Sequence, residues 1–289
     1  MLTPQHHFLN LARLMRPHQW VKNLFVFAGL LFSRQWTQLD TLASVCQLFI
    51  AFCLTSSSVY ILNDWLDRRE DELNPKKSSR PLASGSVTGT QALALGLSCW
   101  IASLLIALEV SVLAVAMILF YNLINVAYSL RLKRVPVVDV FIIAIGFVIR
   151  LLTGTWAVGI GPTHWFLLTG FFLALSLAIS KRRSEALMQT SQQRQVLSEY
   201  SVALLDTFLA IAVTATLMTY SLFATSAESI ARHGQKLWMT VPIVVFALLR
   251  NLYQVHRGQA EDFAKDLLKD AWIVGSVIAW LLIFLIPSP

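Results

Sequence analysis

Apolar runs of about 20 residues alternate with polar stretches along nearly the whole chain. A membrane helix needs roughly 20 apolar residues to cross a hydrocarbon core about 30 Å thick. On that measure the runs at 20–38, 42–62, 90–108, 111–128, 137–157, 163–180, 203–224, 237–252 and 271–287 predict nine transmembrane helices. The gaps near Glu109 and near Gly159, Gly161 and Pro162 are the shortest. Pro136 and Pro162 fit the first turns of helices, where a missing N–H costs nothing. Residues 1–15 predict a short amphipathic segment lying on the membrane surface. Residues 16–289 read as a single all-α transmembrane domain, and the first long run shows no small-residue cleavage site.

Composition sharpens this picture. The chain has 289 residues, 56% of them hydrophobic and 13% charged, with mean hydropathy +0.63. That is a polytopic membrane protein rather than a soluble domain. Of 23 Lys and Arg, all but Arg34, Arg150, Arg232 and Lys236 fall on the side that carries the N-terminus. The positive-inside rule then puts the N-terminus in the cytoplasm and the C-terminus outside, in an inner (plasma) membrane. The net charge of +7 is thus mostly a topology signal. It favours anionic lipids and phosphorylated substrates and gives no reason to expect nucleic acid. Cys46, Cys53 and Cys99 all lie in predicted spans without metal-site spacing, and read as small core residues.

The polar chemistry collects on the cytoplasmic side. Directly after the run Leu48 to Leu62 comes Asn63-Asp64, then Asp67 and Asp71, an N-D-x-x-D-x-x-x-D pattern. On a helix the three aspartates share one face, and they repel each other unless a cation holds them. Hard oxygens clustered in this way suit Mg²⁺, completed by water and substrate phosphate. The alternative is a solvated acidic helix end, neutralised locally by Arg68 and Arg69. The loop continues Asn74-Pro75-Lys76-Lys77-Ser78-Ser79-Arg80-Pro81, which sets cations beside the carboxylates as in a diphosphate clamp. Tyr128, Arg131, Lys133, Arg134 and Pro136 lead to Asp139, which either caps the next helix or meets a cation. Lys181-Arg182-Arg183 followed by Glu185 makes a poor metal site and a better phosphate site. Arg150, mid-span, must face the interior, where it anchors a phosphate or pairs with a buried acid. Lys22 opens the first span at interface depth, where snorkelling accounts for it equally well. Asp262, Asp266 and Asp270 recur with Lys265 and Lys269 as on a salt-bridged surface helix.

Nine spans with this acidic pattern after the second, followed by Pro-Lys…Arg-Pro, resemble the UbiA prenyltransferase superfamily of intramembrane enzymes. The opening Arg16-Pro17-His18-Gln19-Trp20-Val21-Lys22-Asn23 is similar to that of its decaprenyl-phosphate phosphoribosyltransferase branch. So are Tyr128-Ser129…Leu132-Lys133, Ile149-Arg150, Trp165-Phe166 and Lys181-Arg182-Arg183…Glu185. The resemblance runs over about residues 13–275. One departure bears on substrate. Aromatic prenyltransferases of the superfamily carry a second aspartate-rich motif after the sixth span, and here that region offers only Glu185 among cations.

The resemblance implies that polyprenyl phosphate attacks C1 of 5-phosphoribosyl diphosphate and releases diphosphate. In that reading Asp64, Asp67 and Asp71 hold Mg²⁺, Asn63 supports them, and Lys77 and Arg80 balance the diphosphate. Lys181, Arg182 and Arg183, with Glu185 beside them, receive the ribose 5-phosphate. Lys22, Tyr128, Lys133 and Arg150 are further candidates for the lipid phosphate or sugar. Two other readings are an isoprenoid transferase acting on an aromatic acceptor and a transporter of anionic lipids or metabolites. No inverted repeat supports the transporter. A homo-oligomer is compatible with any of these readings.

Overall fold

The computed structural model describes residues 4–75, 77–187, 195–257 and 270–285, and among these the chain is helical with no strand. The expected acidic residues Asp262 and Asp266, and the cations Lys76, Lys265 and Lys269, lie outside the described residues. Chain contacts divide into two compact units. One comprises Met1–Leu132 and Ile149–Ile160, the other Lys133–Val148 and Gly161–Pro289.

In the first unit, α1 (Pro4–Met15) leads into a 3₁₀ segment, Pro17–Phe27, and a short α2 (Ala28–Ser33). The long α3 (Leu39–Leu66) follows, then α4 (Arg68–Leu73), α5 (Gly89–Val110) and α6 (Val112–Leu130). The second half of α7 (Val138–Trp156) belongs here, and its first half belongs to the second unit. The second unit continues with α8 (His164–Leu187), α9 (Val202–Thr225), α10 (Ala227–His233), α11 (Val241–His256) and α12 (Ala271–Leu285).

Among the described residues seven helices are long and apolar enough to cross a membrane: Leu39–Leu66, Gly89–Val110, Val112–Leu130, Val138–Trp156, His164–Leu187, Val202–Thr225 and Gln235–His256. Ala271–Leu285 is a shorter apolar helix. The run at 20–38, expected as one α-helical span, is instead the 3₁₀ segment followed by α2. The expectation for the prolines also needs correcting. Pro136 and Pro162 each stand two residues ahead of a helix rather than in its first turn.

On α5 the packing reverses the size order of a soluble core. On α5 the buried face is small, with Ala92, Gly96, Cys99, Ser103 and Ala107. The opposite face exposes Leu93, Leu97, Ile101, Leu105 and Leu108, recurring at helical spacing. Small residues let helices approach closely where lipid already solvates the large apolar side chains. Gly154 takes this furthest, since a Cβ there would run into the Val26 carbonyl of the 3₁₀ segment. The helix starts are built from local hydrogen bonds: Thr88 and Gln91 form a capping box at α5, and the Ser111 and Ser201 hydroxyls cap α6 and α9.

The N-terminal helix packs against α3 and α5. It buries Leu14 and sets Leu11 against a cluster of Ile61, Leu82, Val87 and Ala92, while Phe8 and Leu9 remain exposed. Leu82 and Val87 belong to the loop after α4, so the same cluster fastens that polar loop to the end of α3.

Candidate active site

The acidic pattern falls where the membrane helix ends. Asp64 lies in the last turn of α3, Asp67 links α3 to α4, and Asp71 lies in α4. The Asp67 amide donates to the Asn63 carbonyl (2.9 Å), and the Asp71 amide to the Asp67 carbonyl (2.9 Å), so the helical path is nearly continuous. Seven residues are two turns, which puts Asp64 and Asp71 on one face. Both carboxylates are buried, each 2% exposed, whereas Asn63 and Asp67 are half-buried beside them.

The cations come from elsewhere in the chain. Arg80 Nη1 donates to Asp64 Oδ1 (3.0 Å) and to Asp71 Oδ2 (2.5 Å), bridging the two. Lys77 Nζ lies 3.5 Å from Asp71 Oδ1. Arg16 Nη2 donates to the same Asp64 oxygen, Oδ1. Turns at Asn74–Lys77 and Lys77–Arg80 fold the loop back, and Gly85 (φ 71°) lets it reverse toward α5. The expected local neutralisation by Arg68 is not what occurs, because Arg68 pairs with Glu72 on the exposed side of α4 (2.9 Å).

Among the described residues no three His, Cys, Asp or Glu side chains gather in metal-ligating geometry. The donor set nonetheless suits Mg²⁺, which commonly takes only one or two protein carboxylates and completes its shell with water and phosphate oxygens. Asp64 and Asp71 are two hard, converging carboxylates, with Asn63 and Asp67 as neighbouring oxygen donors.

Deeper in the same unit Arg150 is buried. Its Nε donates to Asn23 Oδ1 (2.7 Å) and its Nη2 to the Tyr121 hydroxyl (2.9 Å). The guanidinium also stacks 4.8 Å from the Tyr121 ring and 5.7 Å from that of Phe52. Asn23 in turn donates to Ser56 (3.2 Å), so the network ties the 3₁₀ segment to α3, α6 and α7. Neutral oxygens and aromatic faces meet this charge. Lys22 and Tyr128 are both half-buried.

In the second unit the expected phosphate cations are held by acids. Arg182 is 1% exposed; its Nε donates to Asp139 Oδ2 (2.6 Å) and its Nη1 to Glu185 Oε2 (2.6 Å). Arg183 Nε donates to Asp206 Oδ1 (2.5 Å) and Nη1 to the Val255 carbonyl (3.0 Å). Lys181 is the exposed member of the three, and Lys133 is half-buried. Asp139 thus meets a cation rather than capping α7. It also accepts from the Tyr200 hydroxyl (2.8 Å), which accepts the Val137 amide (2.5 Å). That bond holds Val137 at φ 68°, a strained backbone for a β-branched residue. Burial, supplemented by the bond to Asp139 and opposed by the Val137 amide, pushes the Tyr200 phenol up to about 12. Asp270 caps α12 through the Trp272 and Ile273 amides (3.0 and 3.2 Å) and accepts from Arg250 (2.9 Å) and Gln254. Burial works against its ionisation, but these bonds outweigh it and hold the carboxyl below its usual range. Arg16, Asp206 and Tyr200 were absent from the expected site; Arg16 alone had left a signal, in the Arg-Pro…Lys-Asn opening.

The chain is 30% identical, over 96% of its length and 92% of the relative's, to a decaprenyl-phosphate phosphoribosyltransferase of Mycolicibacterium smegmatis. A protein of the same name from Corynebacterium glutamicum is 29% identical, over 94% and 84%. The fold superposes on a UbiA homologue of Archaeoglobus fulgidus bound to GPP and Mg²⁺, with TM-score 0.71 and 19% identity over 95% and 96% of the two chains. A structure of a digeranylgeranylglyceryl phosphate synthase aligns with TM-score 0.70 at 17% identity, over 96% and 98%. The UbiA prenyltransferase family matches residues 23–285. With its acid-bearing helix end, its multi-pass helical fold and a match over nearly its whole length, the chain belongs to the UbiA prenyltransferase family.

Proposed function

We propose that this protein transfers the 5-phosphoribosyl group from 5-phosphoribosyl diphosphate to a polyprenyl phosphate. The observation that carries the reading is near-full-length similarity to relatives named for that phosphoribosyl transfer, together with Asp64 and Asp71 set among cations at a helix end. A phosphate oxygen of the lipid forms a bond to C1 of the ribose, and the bond from C1 to the diphosphate oxygen breaks. The products are polyprenyl-phosphoryl 5-phosphoribose and diphosphate. The lipid phosphate is already ionised near pH 7, its second pKa being roughly 6. No side chain is therefore needed to activate it.

The protein's task is to hold charge and orientation. Asp64 and Asp71, with Asp67 and Asn63 at hand, are the residues that would hold Mg²⁺. When bound, the ion offsets the charge that develops on the leaving diphosphate. Arg80 and Lys77 balance the non-bridging oxygens. The ribose 5-phosphate is assigned to the Lys181–Arg183 segment, with Lys181 as its exposed member and Glu185 helping to hold Arg182 in place. Lys22, Tyr128 and Lys133 are assigned to the lipid phosphate or sugar. Arg150 orders Asn23 and Tyr121.

In this reading the chain crosses the inner membrane nine times with its N-terminus and site in the cytoplasm. The 3₁₀ segment rises roughly 2.0 Å per residue and α2 about 1.5 Å. End to end, Pro17–Ser33 would reach roughly 30 Å, the thickness of the hydrocarbon core.

The test is a membrane assay with labelled 5-phosphoribosyl diphosphate, polyprenyl phosphate and Mg²⁺, followed by lipid extraction. Label should enter the lipid phase and be lost with EDTA. Absence of transfer by folded protein would overturn the reading in favour of isoprenoid diphosphates with aromatic acceptors.

A further inference from the structure

Two guanidinium groups converge on Asp64 Oδ1, but they are not equivalent. Arg80 reaches Asp64 and Asp71 together from the loop after α4. Arg16 reaches Asp64 from the junction between α1 and the 3₁₀ segment, 48 residues away in sequence. Its backbone there is left-handed, φ 54° and ψ 57°. A residue before proline is normally pushed to extended conformations, and a residue with a Cβ disfavours the left-handed region as well. Such a backbone persists where surrounding contacts over-determine it. The junction is held by the Arg16 amide on the Arg13 carbonyl (3.1 Å) and the Gln19 amide on the Arg16 carbonyl (2.9 Å). Together they aim the side chain at the acidic cluster. The guanidinium also lies 5.2 Å from the centre of the Tyr60 ring, one helical turn before Asp64. The Tyr60 ring thus flanks the guanidinium while it holds Asp64.

From this arrangement, and resting on the metal assignment above, we infer that Arg16 is a built-in counter-ion that closes Asp64 to a free divalent cation. The metal then enters only together with a diphosphate. A bare cation must displace Arg16 from Asp64 while Arg80 still bridges the two carboxylates. A diphosphate brings negative charge of its own, which offers the displaced guanidinium groups a replacement partner. Such an order protects the site against unproductive metal and couples metal affinity to the donor. Arg16 is thus a positioning residue that acts through Asp64.

The experiment is Mn²⁺ binding to the full-length detergent-solubilised protein, read by electron paramagnetic resonance, with and without inorganic diphosphate. Wild type should bind Mn²⁺ alone weakly and bind it well with diphosphate. Arg16→Gln should tighten binding of Mn²⁺ alone by about 10- to 100-fold, the equivalent of one hydrogen bond to a charged group. Arg16→Lys should restore the block in large part, which a purely structural role for Arg16 would not produce. Near-equal affinity of wild type and Arg16→Gln for Mn²⁺ alone would overturn the inference, whether both are strong or both are weak. Failure of folded wild type to bind Mn²⁺ even with diphosphate would remove the metal assignment itself, and the inference with it. Should Arg16→Gln not fold, tight Mn²⁺ binding by Arg16→Lys or by wild type without diphosphate would equally overturn the inference, and weak binding by both would support it.

Discussion

A carboxylate buried at the end of a membrane helix is tolerable only if its charge is matched, and for Asp64 the matching side chains are Arg16 and Arg80. Asp64→Asn and Asp71→Asn keep the shape of each side chain and remove one negative charge. Each should lower Mg²⁺-dependent transfer by about 100-fold or more, the scale of losing one charge-stabilising group from a reaction centre. Initial rates at saturating donor across a Mg²⁺ series check this, and rates like those of wild type in both variants would remove the metal role. Arg150 is a second buried charge. Its charge rests on the Asn23 oxygen, the Tyr121 hydroxyl and two rings. Arg150→Leu should therefore destabilise by about 1–3 kcal/mol, because it strips partners from buried polar atoms. A lowered thermal midpoint in detergent is the expected readout. A raised KM for lipid phosphate with an unchanged midpoint would instead make Arg150 an anion ligand.

Among the elements, the junction before α7 is the most tightly determined. Tyr200 carries the Val137 amide and the Asp139 carboxylate, and Asp139 carries Arg182. Tyr200→Phe leaves the buried Asp139 carboxylate and the Val137 amide each short of a partner, at a cost of about 1–3 kcal/mol. This effect depends on pH. The phenol is pushed up to about 12 in the folded chain but ionises near 10 when unfolded. The folded state thus holds the proton more tightly. Its stabilisation is complete below pH 10 and is lost as pH rises toward 12. The difference in thermal midpoint between wild type and Tyr200→Phe should accordingly shrink across that window, and a constant difference would place the titrating group elsewhere. The cationic end of α8 belongs to the same element-scale logic. Lys181-Arg182-Arg183 looks in sequence like an open phosphate site, but Arg182 and Arg183 are taken up by Asp139, Glu185 and Asp206. Lys181→Ala should therefore raise KM for the phosphoribosyl donor several-fold with little change in stability. An unchanged KM would move the 5-phosphate site away from this segment.

For the whole molecule, length and apolar content support a multi-pass membrane protein, and the cation asymmetry predicts a cytoplasmic N-terminus. Ser78→Cys and Gln235→Cys, both at exposed positions, report on opposite predicted sides. In intact cells an impermeant maleimide should label the second and not the first, measured against a parent chain with Cys46, Cys53 and Cys99 replaced by Ser. The reverse pattern would invert the topology and move the site outside.

Much of this architecture was legible in sequence because hydropathy is a local property, summed over about 20 neighbouring residues. Seven of the nine expected spans recur as helices of crossing length. The acidic pattern was read from spacing within a few turns, and the family from the resemblance of that pattern and of the Arg16–Asn23 opening. At the first expected span only the helix type departs from expectation, because a 3₁₀ segment and an α-helix can carry the same apolar run; the difference lies in backbone hydrogen bonding, seen at Pro17–Phe27. Charge partners were also out of reach of the sequence. Arg16 meets Asp64 across 48 positions, Arg182 meets Asp139 across 43, and Arg150 meets Asn23 across 127. An ion pair depends on distance in space, and no periodicity along the chain encodes which distant helix brings the opposite charge. Hydropathy and local spacing were enough for a membrane-embedded helical fold with an acidic helix end. Packing commits Arg16, Arg80, Arg182 and Arg183 to carboxylates far from them in sequence, which only the folded chain reveals.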